Sequence, residues 1–260
     1  PGLSRAVPFR AYAGHNVHMI LLYTDFGYEG PYVGQIKAVL RRLAPDVPAI
    51  DIMHDAPVWN PRAAAYLLAA LAQDSDVGDV WLCVVDPGVG GSRLPVIFDC
   101  GGVTFVGPDN GLFEPIRRRI PDSRLTRIDW RPERLSATFH GRDLFAPVAA
   151  MIARGDPVPR SDLPLSSDRP GADWPDSLAE VIYVDAYGNL ITGLAGSTLQ
   201  DGQSLRVGSQ TMGFARTFSN VAAGGLFWHR NSSGLVEVAA NQARAVDLLE
   251  IAQGAIVEVA

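Results

Sequence analysis

The sequence predicts an α/β protein: an N-terminal three-layer α/β domain with a largely parallel sheet, then a smaller C-terminal antiparallel β domain. Three observations carry this. Over residues 19–155, apolar runs of strand length alternate with apolar residues at helical spacing, the pattern of a parallel sheet wrapped by helices. Residues 156–177 hold Pro157, Pro159, Pro164, Pro170 and Pro175, a density that neither periodicity survives, so they read as a linker. From 178 to 260, short strand-like runs are separated by glycine-rich turns.

Each element has a local reason. Residues 1–18 contain arginines but no continuous apolar run, so they are expected to be a leader or cloning extension rather than a signal peptide, with Met19 the functional start. Met19-Ile20-Leu21-Leu22-Tyr23 is the first strand. After the turn Thr24–Gly30, Pro31 suits a first helical position, and Val33, Ile36, Val39, Leu40 and Leu43 follow at helical spacing. Asn60-Pro61 supplies an N-cap and first helical residue ahead of Ala63–Leu71. Val80–Val85 reads as a buried strand, Pro95–Asp99 with Val103–Val106 as a hairpin-like pair, and Leu144–Ala153 as a helix closed by Gly155. Beyond the linker, strands are expected at Ala179–Val184, Ser204–Val207, Gln210–Phe214, Gly225–Trp228, Leu235–Ala239 and Ala255–Val259.

Composition excludes several functions. The 260 residues are 47% hydrophobic and 19% charged, ordinary for a globular protein with a substantial core. A net charge of −6 argues against a nucleic-acid partner, and Arg117-Arg118-Arg119, flanked by Pro115 and Pro121, reads as a solvated helix end. Two cysteines, Cys83 and Cys100, are too few for a disulfide framework or a cysteine zinc site, and Cys83 reads as a buried small hydrophobe. No apolar stretch approaches the ~18 residues of a membrane span. The expectation is a cytoplasmic protein with a small-molecule partner and neither nucleic acid nor membrane.

The chemistry concentrates in loops. Asp86-Pro87-Gly88-Val89-Gly90-Gly91-Ser92-Arg93 follows the buried strand and sets a carboxylate, a glycine turn and a guanidinium where open α/β sheets bind ligands. Forty-seven residues after Arg93, Phe139-His140-Gly141-Arg142-Asp143 offers an imidazole. Asp, Arg and His at three loop positions could hold one water molecule. The glycines are not a dinucleotide fingerprint, since Arg93 stands where the third glycine belongs, and no Gly-Lys-Ser/Thr makes a P-loop. Asp86, Asp109, His140 and Asp143 lack the spacing of a metal site, and Arg93 and Arg142 would repel a cation there. No G-x-S-x-G elbow provides a serine nucleophile.

Asp25, in Thr24-Asp25-Phe26-Gly27, places a second carboxylate at the same sheet edge, where it could accept two hydrogen bonds from a ribose diol. Trp59 is either a packing residue or a ligand cover, and Gly107-Pro108-Asp109-Asn110-Gly111 reads as a structural turn. In the second domain, Val184-Asp185-Ala186-Tyr187-Gly188-Asn189 and Asn231-Ser232-Ser233-Gly234 are polar clusters at strand ends.

These motifs, with Pro31-Tyr32-Val33-Gly34, occur in an order and spacing that resembles the S-adenosyl-L-methionine (SAM) hydrolases, or SAM hydroxide adenosyltransferases, relatives of the fluorinating and chlorinating enzymes. The resemblance runs from Met19 to about Val259. It implies attack of water on the ribose C5′ of SAM, releasing adenosine and methionine, in a homotrimer with active sites at subunit interfaces and no cofactor or metal. It implies a water-holding triad of Asp86, Arg93 and His140, with Asp25 gripping the ribose hydroxyls and Trp59 walling the sugar. It further implies Asp185 facing the methionine ammonium, Asn189 reading adenine, Phe218 stacked on adenine, and Ser232 and Ser233 meeting the methionine carboxylate. Gly30 and Asn60 depart from the family's usual Asp at those places. The halide-using alternative is disfavoured because Val89 and Gly141 stand where halogenating relatives carry hydroxyl donors, and His140 where they carry an aromatic hydroxyl. A non-catalytic SAM sensor would need the same binding residues.

Overall fold

A computed structural model describes residues 19–120, 123–164 and 168–260, so the expected leader over 1–18 lies outside the described residues. The apolar run after Met19 forms β1 (Ile20–Thr24), buried at every position because helices cover both its faces. Alternate side chains of a strand point to opposite faces. Ile20 and Leu22 thus pack with Ile36 and Leu40 of α1 (Tyr32–Leu43) and Val148 and Ala149 of α4 (Ala146–Ala153). On the other face, the Tyr23 hydroxyl donates to the Ala64 carbonyl of α2 (Pro61–Leu71) at 2.9 Å. Asn60 caps α2, its side-chain oxygen accepting from the Ala63 amide at 3.0 Å, with Pro61 in the first turn.

The remaining elements of this unit are β2 (Ala49–Met53), β3 (Val80–Val84), β4 (Pro95–Cys100), β5 (Val103–Pro108), α3 (Glu114–Arg119), β6 (Ser123–Ile128) and β7 (Arg160–Asp162). They form a seven-stranded sheet in the order β2-β1-β3-β5-β4-β6-β7. The β2-β1-β3-β5 part is parallel, and the β4-β6-β7 edge antiparallel. Trp81, Phe98, Phe105 and Phe113 stack as an aromatic core on the α2 and α3 side, with the Trp81 indole N–H satisfied by Ser75 at 2.8 Å.

A compact unit ends at Asp173 and a second runs from Trp174 to Ala260. The second contains β8 (Leu178–Val184), β9 (Leu190–Ala195), β10 (Leu205–Val207), β11 (Gln210–Met212), β12 (Leu226–Arg230), β13 (Leu235–Ala240), α5 (Ala245–Leu249) and β14 (Val257–Val259). Two antiparallel sheets, β12-β13-β9-β8 and β11-β10-β14, enclose a core around Leu190, Leu205, Trp228 and Val238. Among the described residues, no helix is long and apolar enough to cross a membrane.

Two local readings change. The span 156–177 is not wholly a linker, because β7 pairs with β6 from Thr126↔Asp162 to Ile128↔Arg160. Its prolines flank the strand, and as the outermost strand β7 needs partners on one side only. Nor is Arg117-Arg118-Arg119 a solvated helix end. Glu114 is buried and accepts from Arg117 Nε at 2.7 Å, Arg117 Nη2 at 2.6 Å and Arg118 Nε at 3.0 Å. Arg118 Nη2 also donates to the carbonyls of Gly171 at 2.5 Å and Ala172 at 2.9 Å, tying α3 to the chain leaving the unit.

Burial pushes the Glu114 carboxyl upward, but the two guanidinia outweigh it and hold it below the usual range. A depressed carboxyl contributes stability at neutral pH that is lost as pH falls through its folded value. Glu114→Gln is therefore expected to lower unfolding free energy by about 2 kcal/mol at pH 7. Denaturant titrations should show the difference shrinking toward pH 4; an equal loss at both pH values would refute the charge argument.

Candidate functional site

The register Thr24↔Val84 sets the C-terminal ends of β1 and β3 side by side, so Asp25 and Asp86 leave the sheet as neighbours. The Asp25 amide donates to the Val84 carbonyl at 3.3 Å. Asn110 Nδ2 donates to the Val85 carbonyl at 2.8 Å, pinning the chain one residue before Asp86. The Gly107–Gly111 turn thus also fixes the mouth of β3. Gly107 permits this close approach, since a Cβ there would lie 2.3 Å from the Cys83 carbonyl oxygen.

After Asp86 the chain turns sharply, with Val89 N donating to Asp86 O at 3.2 Å and Gly91 N to Gly88 O at 3.0 Å. Gly90 takes φ +78°, and a Cβ there would meet the Ala137 carbonyl oxygen at 2.3 Å, so only glycine fits. The turn returns Arg93 onto Asp86. Arg93 Nε donates to Oδ1 at 2.9 Å and Oδ2 at 3.0 Å, and Nη2 also contacts Oδ2. The Arg93 guanidinium lies 5.2 Å from the Phe145 ring centroid. The two side chains are 9% and 4% exposed, a nearly buried ion pair at the strand mouth.

His140 joins through Arg93, with Nη2 and Nδ1 2.8 Å apart. A guanidinium has no lone pair to offer, so Nδ1 must accept and the imidazole proton is assigned to Nε2. Burial, then the Arg93 charge, push His140 below the ordinary imidazole value against the opposing pull of Asp86. The imidazole is neutral, with a single N–H on its far side. His140 directly precedes a π-helical turn, Gly141–Phe145, which breaks the helical register ahead of α4. Within that turn Asp143 is bound to Arg142, at 2.6 and 3.0 Å, and to the Ser136 amide at 2.9 Å. Those two charges build the turn.

Asp25 sits beside this cluster. Burial raises its carboxyl, the Trp59 amide lowers it, and the negative charge of Asp86 raises it again. Trp59 N donates to Asp25 Oδ2 at 3.3 Å from a backbone at φ +57°, unusual for so bulky a residue. The residue is 80% exposed, so it is not a core or staple residue. Phe26, Tyr32 and Phe139 form an aromatic cluster beginning one residue after Asp25, Phe139 meeting both other rings edge-on, and Phe26 and Phe139 close over Gly141. Among the described residues, no His, Cys, Asp and Glu gather in a group of three or more that could hold a metal ion.

In the second unit, Asp185, Asn189 and Phe218 line one open concavity of about 710 Å³, together with Tyr187, Glu237 and Arg244. Asp185 organises its own turn: Oδ1 accepts from the amides of Tyr187 at 2.9 Å and Asn189 at 2.8 Å, and Oδ2 from Asn189 Nδ2 at 3.0 Å. That bond uses the Asn189 amide nitrogen and leaves its oxygen as the remaining acceptor. Phe218 packs edge-on against Phe227 and His229. Ser232 and Ser233 do not line the concavity; they lie in the β12–β13 hairpin, whose turn is held by Asn231 Oδ1 accepting from Ser233 N and Leu235 N.

Sequence reasoning missed Glu237, a buried carboxylate on β13 facing His229 across the strand pair. The available signal was a single charge inside the apolar run Leu235–Ala240. Burial lowers His229, but Glu237, 3.3 Å from its Nε2, outweighs this and raises it.

Comparison with known proteins adds to this geometry. The SAM hydroxide adenosyltransferase N-terminal domain matches residues 20–161, and the corresponding C-terminal domain matches residues 179–258. The chain is 39% identical to the (R)-S-adenosyl-L-methionine hydrolase of Salinispora arenicola, across 89% of this chain and 93% of that protein. It is 37% identical to the protein of that name from Thermus thermophilus, across 90% and 96%. The crystal structure of an uncharacterized conserved protein from Thermotoga maritima superposes with a TM-score of 0.79 at 31% identity, covering 93% of this chain and 99% of that one.

The Arg93–His140 contact has a measurable consequence. In an NMR titration, the His140 ring is expected to gain its proton below the ordinary imidazole value of about 6.5. Arg93→Met should move that midpoint upward, because it removes a cation and leaves Asp86 unneutralised. An unchanged midpoint would mean that Nδ1 does not face the guanidinium.

Proposed function

The chain belongs to the SAM hydroxide adenosyltransferase family, and from this we propose that it hydrolyses S-adenosyl-L-methionine to adenosine and L-methionine. The relatives' names carry an (R) descriptor; since L already fixes the amino-acid carbon, (R) describes the sulfonium, and that epimer is the proposed substrate. The observation that carries the reading is the Asp86–Arg93–His140 chain at the mouth of β3, a nearly buried ion pair joined to a half-buried imidazole, with Asp25 beside it.

The chemistry follows from the groups present. The leaving sulfur departs from a sulfonium as a neutral thioether, so it takes the C5′–S electron pair without a general acid. The demand falls on the nucleophile. A water that accepts the His140 Nε2–H and donates to Asp86 is held by both partners, and holding it in line with C5′ supplies the near-attack geometry. As the O–C5′ bond forms, the water proton passes to Asp86, while Arg93 remains a cation and balances the carboxylate. In the homotrimer we propose, Asp25 takes the ribose hydroxyls and Trp59 walls the sugar, and the C-terminal residues that complete the pocket come from a neighbouring subunit. Asp185, with one Oδ2 lone pair uncommitted by its turn, faces the ammonium; Asn189 and Phe218 take adenine; Ser232 and Ser233 meet the methionine carboxylate. No metal is needed, because Arg93 already supplies positive charge between Asp86 and His140.

A halide nucleophile needs polar donors to replace its water shell. Val89 has none in its side chain, and a Cβ at Gly141 would already lie 3.1 Å from Phe26. Purified protein is therefore expected to release adenosine and methionine from (R)-SAM with chelator present, to leave the (S) epimer, and to form no halogenated nucleoside in high chloride or fluoride. Chromatography against an enzyme-free control decides this, and no adenosine means the activity is wrong. Asp86→Asn should lower kcat by about 100-fold or more with little change in KM, in steady-state assays below the variant's unfolding temperature.

A further inference from the structure

We propose that His54 is a positioning residue that acts through Thr24 to hold the Asp25 loop in the shape that grips a ribose diol. This rests on the role given to Asp25 above. His54 follows β2, is 2% exposed and touches neither Asp86 nor Arg93 through any hydrogen bond. Its Nδ1 lies 2.8 Å from Thr24 Oγ1, and its Nε2 lies 3.2 Å from Asp51 Oδ1, off the line of a well-formed bond. Asp51 in turn pairs with Lys37 at 3.0 Å. The carboxylate favours the proton on Nε2, leaving Nδ1 to accept the Thr24 hydroxyl. Thr24 Oγ1 then has a lone pair for the Phe26 amide, 3.4 Å away.

The backbone repeats the connection. Gly27 N donates to the His54 carbonyl at 2.6 Å, Ala56 N donates to the Thr24 carbonyl at 3.1 Å, and Trp59 N reaches the Asp25 carboxylate at 3.3 Å. The segment 54–59 is thus laced along residues 24–27. Asp25 has neighbours bonded on either side, and its carboxylate is held by a Trp59 amide that takes φ +57° to reach it. Tyr28 closes the outside, edge-on to the His54 ring at 5.7 Å. A buried imidazole set between Asp51 and the Thr24 hydroxyl at the root of this loop, with no hydrogen bond to the water-holding chain, has a geometric role.

The test compares adenosine with 2′-deoxyadenosine by calorimetry, and turnover of SAM with that of its 2′-deoxy analogue. The wild type is expected to prefer the ribose form. Thr24→Val removes the hydroxyl at nearly constant shape and should erase about tenfold of that preference, chiefly through KM. Thr24→Ser should restore it. His54→Asn, whose amide can stand where Nδ1 stood, should keep the preference, whereas His54→Gln, which reaches only toward Asp51, should lose it. If His54→Gln does not fold, the Thr24 pair decides. Full ribose preference in Thr24→Val would overturn the positioning role. A wild type that hydrolyses SAM without any ribose preference would instead overturn the role given to Asp25, and one without hydrolysis the activity itself.

Discussion

The site depends on one constraint: a guanidinium can only donate. Because Arg93 stands between Asp86 and His140, it determines the state of both neighbours. The carboxylate is oriented by a two-pronged contact, and burial together with the Arg93 charge disfavours a second proton on the imidazole, whose N–H is turned away from the guanidinium. A water placed between them would meet one acceptor and one donor, which defines its orientation without a metal. The same arrangement buries an ion pair, and breaking such a pair from one side is far more costly than never having formed it. Phe145 beneath the guanidinium and the π-helical turn after His140 keep the three groups in register.

The scaffold serves this cluster through close backbone approaches. Gly107 lets β5 come up against the Cys83 carbonyl, Gly90 lets the Asp86–Arg93 turn touch Ala137, and Asn110 anchors the Val85 carbonyl. Each acts within a few residues of Asp86. On the neighbouring strand, the segment 54–59 does the same for Asp25. The polar groups of these loops are spent on one another, an arrangement that would lower the ordering that ligand binding must supply.

The second unit uses its polar residues differently. Asp185 directs most of its hydrogen-bonding capacity into its own turn, presenting the Asn189 amide in one orientation. Phe218 rests on Phe227 and on His229, whose far nitrogen lies 3.3 Å from the buried Glu237, so the floor under the aromatic ring is not purely apolar. The concavity therefore carries fixed acceptors beside an aromatic face, a combination suited to a planar heterocycle with donor edges.

The sequence alone determined the α/β class, the Asn60-Pro61 start of α2, the buried β3, the change to short strands after the linker, and the residue types at the strand mouths. These are legible because periodicity, capping and turn chemistry are properties of neighbouring residues. It did not disclose β7, which lies among prolines and exists only because the β6 edge accepts it, nor Glu114, whose burial converts an apparent surface arginine run into an internal clamp. Nor could it choose the tautomer of His140: that follows from a 2.8 Å contact between residues 47 positions apart. The tertiary structure decided these points because hydrogen-bond state and burial are set by which groups meet, and distant groups meet only once register and turns are complete.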